Sequence, residues 1–182
     1  MAKKVLILHG WQGSDYPHWQ SWLAGELVKD YGKVSFLKFS DFNSPDFNIW
    51  KQELIKELKD FQPDIVICHS LANTLWFHLC NAETIQEIKK LYLVAPPSIN
   101  CNIEELKSFF PVQIPTNPHA KNIMLVISTD DPYLTQTEAK EMQLMLNSDM
   151  KILKDAGHIN SESNFGEWSW ILNEIKKDLL DE

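Results

Sequence analysis

Glycine is scarce in this chain, at six among 182 residues, and cysteine scarcer, at three. Long runs of either basic or apolar residues do not occur at all. Each scarcity closes a class of function. No stretch approaches the roughly 20 apolar residues that cross a bilayer, so no membrane partner is expected. Lys3-Lys4 followed by Val5–Leu8 has the order of a signal peptide, but the apolar part is too short and runs at once into His9 and Gly10. Cys68, Cys80 and Cys101 make no disulfide framework, and an odd count suits a reducing compartment, so a cytoplasmic location is the expectation. Together with His78 they do not reproduce a zinc-ligand spacing, and no metal is expected. The balance of 17 basic against 25 acidic residues, a net charge of −8, argues against a nucleic-acid partner. Gly10–Ser14 is too short and lacks the lysine of a phosphate-binding loop. No repeat, low-complexity tract or compositional break divides the chain, so residues 1–182 are expected to form one domain.

What is present is an alternation of short apolar runs and amphipathic segments. Val5–Leu8, Val34–Phe39, Ile65–Cys68, Leu91–Val94, Ile123–Ser128 and Ile152–Leu153 read as strands. Between and after them, helices are predicted from Trp19, Trp22, Leu23 and Leu27; from Trp50, Leu54, Ile55, Leu58 and Phe61; over Leu71 to about Cys80; over Thr135–Leu146; and from Trp168, Ile171, Leu172, Ile175 and Leu179. A proline-rich stretch from Ala95 to Ala120 carries one short helix around Ile103–Phe110. Several strands are apolar throughout rather than alternating, as strands of a parallel sheet covered on both faces are. The fold class is therefore α/β, a three-layer sandwich of about six mostly parallel strands with helices on both faces. Ligands in such folds sit beyond the carboxyl ends of the strands.

Those ends hold the chemistry. His9-Gly10-Trp11-Gln12-Gly13-Ser14 follows the first strand, His69-Ser70-Leu71-Ala72 the third, Ser128-Thr129-Asp130-Asp131-Pro132 the fifth and Asp155-Ala156-Gly157-His158-Ile159-Asn160 the sixth. A hydroxyl, a carboxylate and an imidazole come in the order Ser, Asp, His, the order of an α/β-hydrolase triad. Ser70 alone reads more readily as a helix N-cap, and Asp131-Pro132 alone as a turn. Their joint placement at strand ends makes the catalytic reading the better one. Asp130, Asp131 and Asp155 all stand near enough in sequence to serve as the acid.

Five blocks, "LILHGWQGSDYPHWQSWL", "ICHSLA", "LVAPP", "STDDPY" and "AGHINSESNFGEW", resemble the small serine hydrolases related to YdeN and retinoblastoma-binding protein 9, within the α/β-hydrolase superfamily. The resemblance runs nearly end to end and implies a compact core without a large lid domain. It implies Ser70 as nucleophile, Asp131, directly before Pro132, as the triad acid, and His158 as general base, with the backbone N–H groups of Trp11 and Leu71 receiving the oxyanion. His9, Gly10 and His69 are expected around the substrate pocket, His9 shaping the oxyanion loop and His69 packing or bonding locally. The expected activity is hydrolysis of a small ester, thioester or amide through an acyl-enzyme, esterase-like first, with no cofactor and with a small-molecule substrate. The elbow departs from Gly-x-Ser-x-Gly: Cys68 and Ala72 replace both glycines. That departure supports the alternative, a binding or regulatory protein that keeps the fold and has lost efficient catalysis. A dehalogenase is disfavoured, since an aspartate nucleophile would have to stand where Ser70 does.

Overall fold

A computed structural model describes residues 3–30 and 32–180. Met1, Ala2, Tyr31, Asp181 and Glu182, which the expected domain 1–182 includes, lie outside the described residues. Six strands, β1 (Val5–Leu8), β2 (Val34–Leu37), β3 (Ile65–His69), β4 (Ile88–Val94), β5 (Ala120–Ser128) and β6 (Asp149–Leu153), form one sheet in the order β2-β1-β3-β4-β5-β6. All pairings are parallel. Five helices accompany them: α1 (Trp19–Asp30), α2 (Phe47–Phe61), α3 (Leu71–Ala82), α4 (Gln136–Leu146) and α5 (Ser169–Leu180).

The continuous apolar strands have a simple cause. Successive side chains point to opposite faces, and both faces are covered. Leu6, Leu8, Val66, Cys68, Leu91, Leu93, Leu125 and Ile127 pack with Trp50 and Leu54 of α2, Leu75 and Trp76 of α3, and Met142 of α4. Their alternates Val5, Ile7, Ile65, Ile67, Tyr92, Val94 and Val126 pack with Trp19, Leu23 and Leu27 of α1 and with Ile171 and Ile175 of α5. No α-helix joins β4 to β5; the proline-rich stretch does, with a 3-10 turn at Glu104–Phe109. Leu106, Phe109, Val112 and Ile114 from that stretch are buried in the same core as α2 and α3, so the irregular segment serves as part of the covering layer.

Two helix ends show how local sequence sets boundaries. Asp46 caps α2, its carboxylate accepting from the Ile49 amide, and Gln62 closes that helix in the left-handed conformation. Thr135 opens α4 with a capping box: its hydroxyl accepts from the Glu138 amide while the Glu138 carboxylate accepts from the Thr135 amide. The chain leaves β1 outward to β2 and returns across it to β3, so the loops after β1 and β3 diverge from adjacent strands. That reversal opens a crevice at the carboxyl ends of the strands.

Burial decides which substitutions matter. Leu93 is fully buried at the centre of the sheet, whereas Leu144 on α4 is 68% exposed. Leu93→Ala is expected to cost about 2–5 kcal/mol in urea denaturation, and Leu144→Ala no more than about 0.5 kcal/mol.

Candidate active site

β3 ends at His69, α3 begins at Leu71, and Ser70 alone makes the turn, at φ 54 and ψ −125. A residue with a Cβ adopts such a backbone only when its surroundings over-determine it. Here they do. The Ser70 amide donates to the Val94 carbonyl of β4 (3.0 Å). The Asn73 side-chain amide donates both to the Ser70 carbonyl (2.8 Å) and to that of Val94 (3.0 Å). The Ser70 hydroxyl caps nothing in α3, so the N-cap alternative is not the one adopted. Gly10, in the loop after β1, approaches so closely that a Cβ there would lie 2.7 Å from the Ser70 Cβ. Cys68 and Ala72, the replacements for the elbow glycines, are both fully buried in the core, and the turn forms around them.

The other two groups arrive from β5 and β6. His158 Nε2 lies 2.8 Å from the Ser70 Oγ. His158 Nδ1 lies 3.0 Å from each oxygen of Asp131, whose side chain is only 1% exposed. Of the three nearby carboxylates Asp131 alone meets the imidazole. Asp130 turns instead to the His158 loop: it accepts from the Ser128 hydroxyl (2.6 Å) and the Gly157 amide (2.8 Å). These bonds hold its carboxyl below the usual range. Asp155 is exposed, with its amide bonded to the Thr129 hydroxyl (2.9 Å). Gly157 is at φ +52, and a Cβ there would sit 2.3 Å from the Ser163 hydroxyl oxygen, so the tight bend into His158 needs glycine. The Tyr133 amide donates to Asp131 Oδ1 (2.9 Å), and the Tyr133 ring meets that of His158 edge-on at 4.6 Å between centroids.

Three further histidines surround the relay, each with a different task. His69 is buried and its Nε2–H donates to the backbone carbonyl of His158 (3.1 Å), tying the residue before the serine to the residue that faces it. Burial and the neighbouring His18 push its pKa well below 6.5. The His18 ring lies 4.9 Å from that of His69, and burial lowers its pKa to about 4. His18 Nδ1 accepts from the Gln20 amide (3.2 Å), which leaves the proton of the neutral ring on Nε2. His9 corrects an expectation. It does not line the cleft beside Ser70 but is buried behind it, among Phe36, Phe39, Phe42 and Trp50, and its pKa is lowered by desolvation. Its Nδ1–H donates to the Gly10 carbonyl (2.7 Å) and its Nε2 accepts from the Phe39 amide (2.9 Å), so it braces the loop from within. Gly10 likewise lies outside the lining, its space taken by the Ser70 turn; His69 does line the cleft.

Ser70 opens into a cleft of about 550 Å³. Its apolar lining includes Leu71, Pro97, Ile103 and Leu106, and its polar lining Ser14, Asp15, His18, Asn160, Ser161 and Glu162. Pro97, Ile103 and Leu106 come from the proline-rich stretch, and Trp11 lines the cleft while its indole N–H donates to the Asn43 carbonyl (3.1 Å). The amides of Gln12 and Gly13 are engaged by the Phe42 and Gly10 carbonyls. Those of Trp11 and Leu71 have no acceptor among the described residues, and a Cβ on Gly10 would lie 3.1 Å from the Leu71 nitrogen. His18 and Tyr133 escaped sequence reasoning. The signal for Tyr133 was its position directly after Asp131-Pro132; His18 reads from sequence only as the start of a helix.

Comparison with known proteins follows this geometry. No curated protein sequence matches the chain. Among solved structures, the ydeN gene product of Bacillus subtilis superposes with a TM-score of 0.85 at 18% identity, over 96% of this chain and 97% of that one. A YdeN-like hydrolase of Pectobacterium atrosepticum gives 0.77 at 23% identity, over 96% and 89%. The carboxylesterase CesB of Bacillus subtilis gives 0.65 at 10% identity, over 98% and 84%. These likenesses share the α/β-hydrolase fold. The family model described as serine hydrolase matches residues 5–177, almost the whole of the strand and helix order above, and the chain belongs to that family of hydrolases.

Proposed function

We propose that the protein hydrolyses a small ester, thioester or amide through an acyl-enzyme formed on Ser70, with His158 as the proton carrier and Asp131 as its anchor. The observation that carries this is the continuous contact from the Asp131 carboxylate through His158 to the Ser70 oxygen, at 3.0 and 2.8 Å. A serine hydroxyl is a poor nucleophile until a base takes its proton. His158 Nε2 accepts that proton as Oγ attacks the substrate carbonyl, and the carbonyl π electrons move onto its oxygen. Asp131 holds the imidazole in the tautomer with the proton on Nδ1 and stabilises the imidazolium that forms. The free amides of Trp11 and Leu71 donate to the oxyanion, a contribution of roughly 3–4 kcal/mol per donor in comparable enzymes. Collapse of the tetrahedral species breaks the bond to the leaving group, which takes the Nε2 proton as it departs. Water then enters, gives a proton to Nε2 and attacks the acyl carbon. The second collapse returns the proton to Ser70 and frees the carboxylic acid.

Esters are the first substrates to try, since the named carboxylesterase CesB shares this fold. The alternative of a binding protein without efficient catalysis rests on the glycines missing at positions 68 and 72. Both Cys68 and Ala72 fit fully buried, and the 2.8 Å contact between Ser70 and His158 exists beside them, which favours the enzyme.

A fluorophosphonate probe is expected to label the protein once, at Ser70, and Ser70→Ala to abolish both labelling and ester turnover; labelling that survives the substitution would falsify the assignment. Asp131→Asn should lower kcat by about 10⁴ with the fold intact, because the imidazole then loses its tautomer control. Gly10→Ala pushes a methyl against the Ser70 Cβ. It is expected to lower kcat about 100-fold while changing KM far less, measured on a p-nitrophenyl ester.

A further inference from the structure

We propose that the cleft selects small esters or amides whose leaving group bears an amine or quaternary ammonium, and disfavours those with an anionic leaving group. This rests on the hydrolase reading above. The two ends of the cleft can be told apart chemically. His158 Nε2 must protonate the departing atom, so the leaving group lies against the loop that continues from His158, where Asn160, Ser161 and Glu162 line the cleft. The acyl chain then lies along the apolar lining of Pro97, Ile103 and Leu106.

The leaving-group end carries one carboxylate that nothing offsets among the described residues. Glu162 is exposed and, among the described residues, has no cationic partner. Asp15, the other carboxylate of the lining, pairs with Lys38 at 2.9 Å, in a contact where both side chains are mostly in solvent. No lysine lines the cleft. All 17 basic residues of the chain are lysine, so no guanidinium fork exists anywhere to clamp a carboxylate or phosphate. His18 and His69, which also line it, are buried and held neutral at pH 7, and add no compensating charge.

A second feature points to a bound group. His18 and Ser14 are 4% and 3% exposed, both line the cleft, and His18 Nε2 and Ser14 Oγ have no hydrogen-bond partner. Buried polar atoms are nearly always paired, by protein, water or ligand. With the Gln20 amide on Nδ1, the free His18 position is an N–H donor. That nitrogen is itself buried, so it suits a small neutral acceptor that fits tightly against it, a water or a hydroxyl oxygen. An anionic acceptor would satisfy the same donor but would have to enter the field of Glu162.

Three esters of one acid test this: 2-(trimethylammonio)ethyl butyrate, its uncharged isostere 3,3-dimethylbutyl butyrate, and 2-sulfoethyl butyrate, with kcat/KM followed by pH-stat. At low ionic strength the cationic ester is expected to be hydrolysed about threefold better than the neutral one and about tenfold better than the anionic one, with the spread shrinking toward unity in 1 M salt. Glu162→Gln should narrow the cationic-to-anionic ratio by about threefold, and Glu162→Lys should invert the preference; thermal melting checks that both variants are folded. A wild-type ratio at or below one, or a ratio that neither variant moves, overturns the substrate class while turnover of the neutral ester leaves the hydrolase standing. Failure of all three esters together with absence of fluorophosphonate labelling overturns both.

Discussion

One hydrogen bond, 2.8 Å from the Ser70 hydroxyl to His158 Nε2, joins residues 88 positions apart, and the proposed chemistry depends on it. Nothing local in either loop would hold it. It depends on strand ends kept in register by the sheet, and on ties between the loops that leave them. His69 reaches across to the His158 carbonyl. The buried Trp19 indole donates to the next carbonyl, that of Ile159, at 2.9 Å. Ser128 and Asp130, at the end of β5, take the amides of Ala156 and Gly157 at 2.9 and 2.8 Å. The imidazole is thus fixed by its backbone from three directions before Asp131 touches its ring.

The parts of this arrangement that could be read from sequence were those where one residue type admits one environment. Apolar runs such as Ile65–Cys68 have no other stable home than a covered sheet, and serine, aspartate and histidine after consecutive strands narrow the chemistry sharply. Strand limits were harder. β4 and β5 extend backward by pairing Ile88 with Ala120 and Lys90 with Asn122, but Lys89, Lys121 and Asn122 carry no apolar signal because that end of the sheet meets solvent. β6 lies at the sheet edge, partly exposed along its length, and only Ile152–Leu153 announced it. Histidine was the least legible residue. His9, His18 and His69 are all buried, yet one braces a loop, one lines the cleft and one bonds to the relay. That difference lies in their partners at long range, which no spacing encodes.

Burying so many imidazoles near His158 has an electrostatic effect. Charged forms of His18 and His69 would oppose an imidazolium at His158, at ring separations of 4.9 Å from His18 to His69 and 5.3 Å from His69 to His158. Desolvation keeps both neutral. The pair therefore supplies shape and hydrogen bonds around His158 without adding charge. The walls of the cleft are likewise tied down: the Ser98 hydroxyl and amide bond to Glu138 (2.6 Å) and to the Tyr133 carbonyl (2.8 Å), which joins the proline-rich wall to the loop carrying Asp131.

The backbone of Ser70, at φ 54 and ψ −125, is comfortable for glycine and costs a residue with a Cβ on the order of 1–3 kcal/mol. On the role proposed for Ser70, thermodynamic ease and chemistry therefore pull in opposite directions at a single codon. A lineage released from selection for turnover would drift toward glycine there and gain heat resistance as it fell silent. Sturdiness in a natural homologue with glycine at this turn would be a mark of retirement from catalysis rather than of adaptation to a hot habitat.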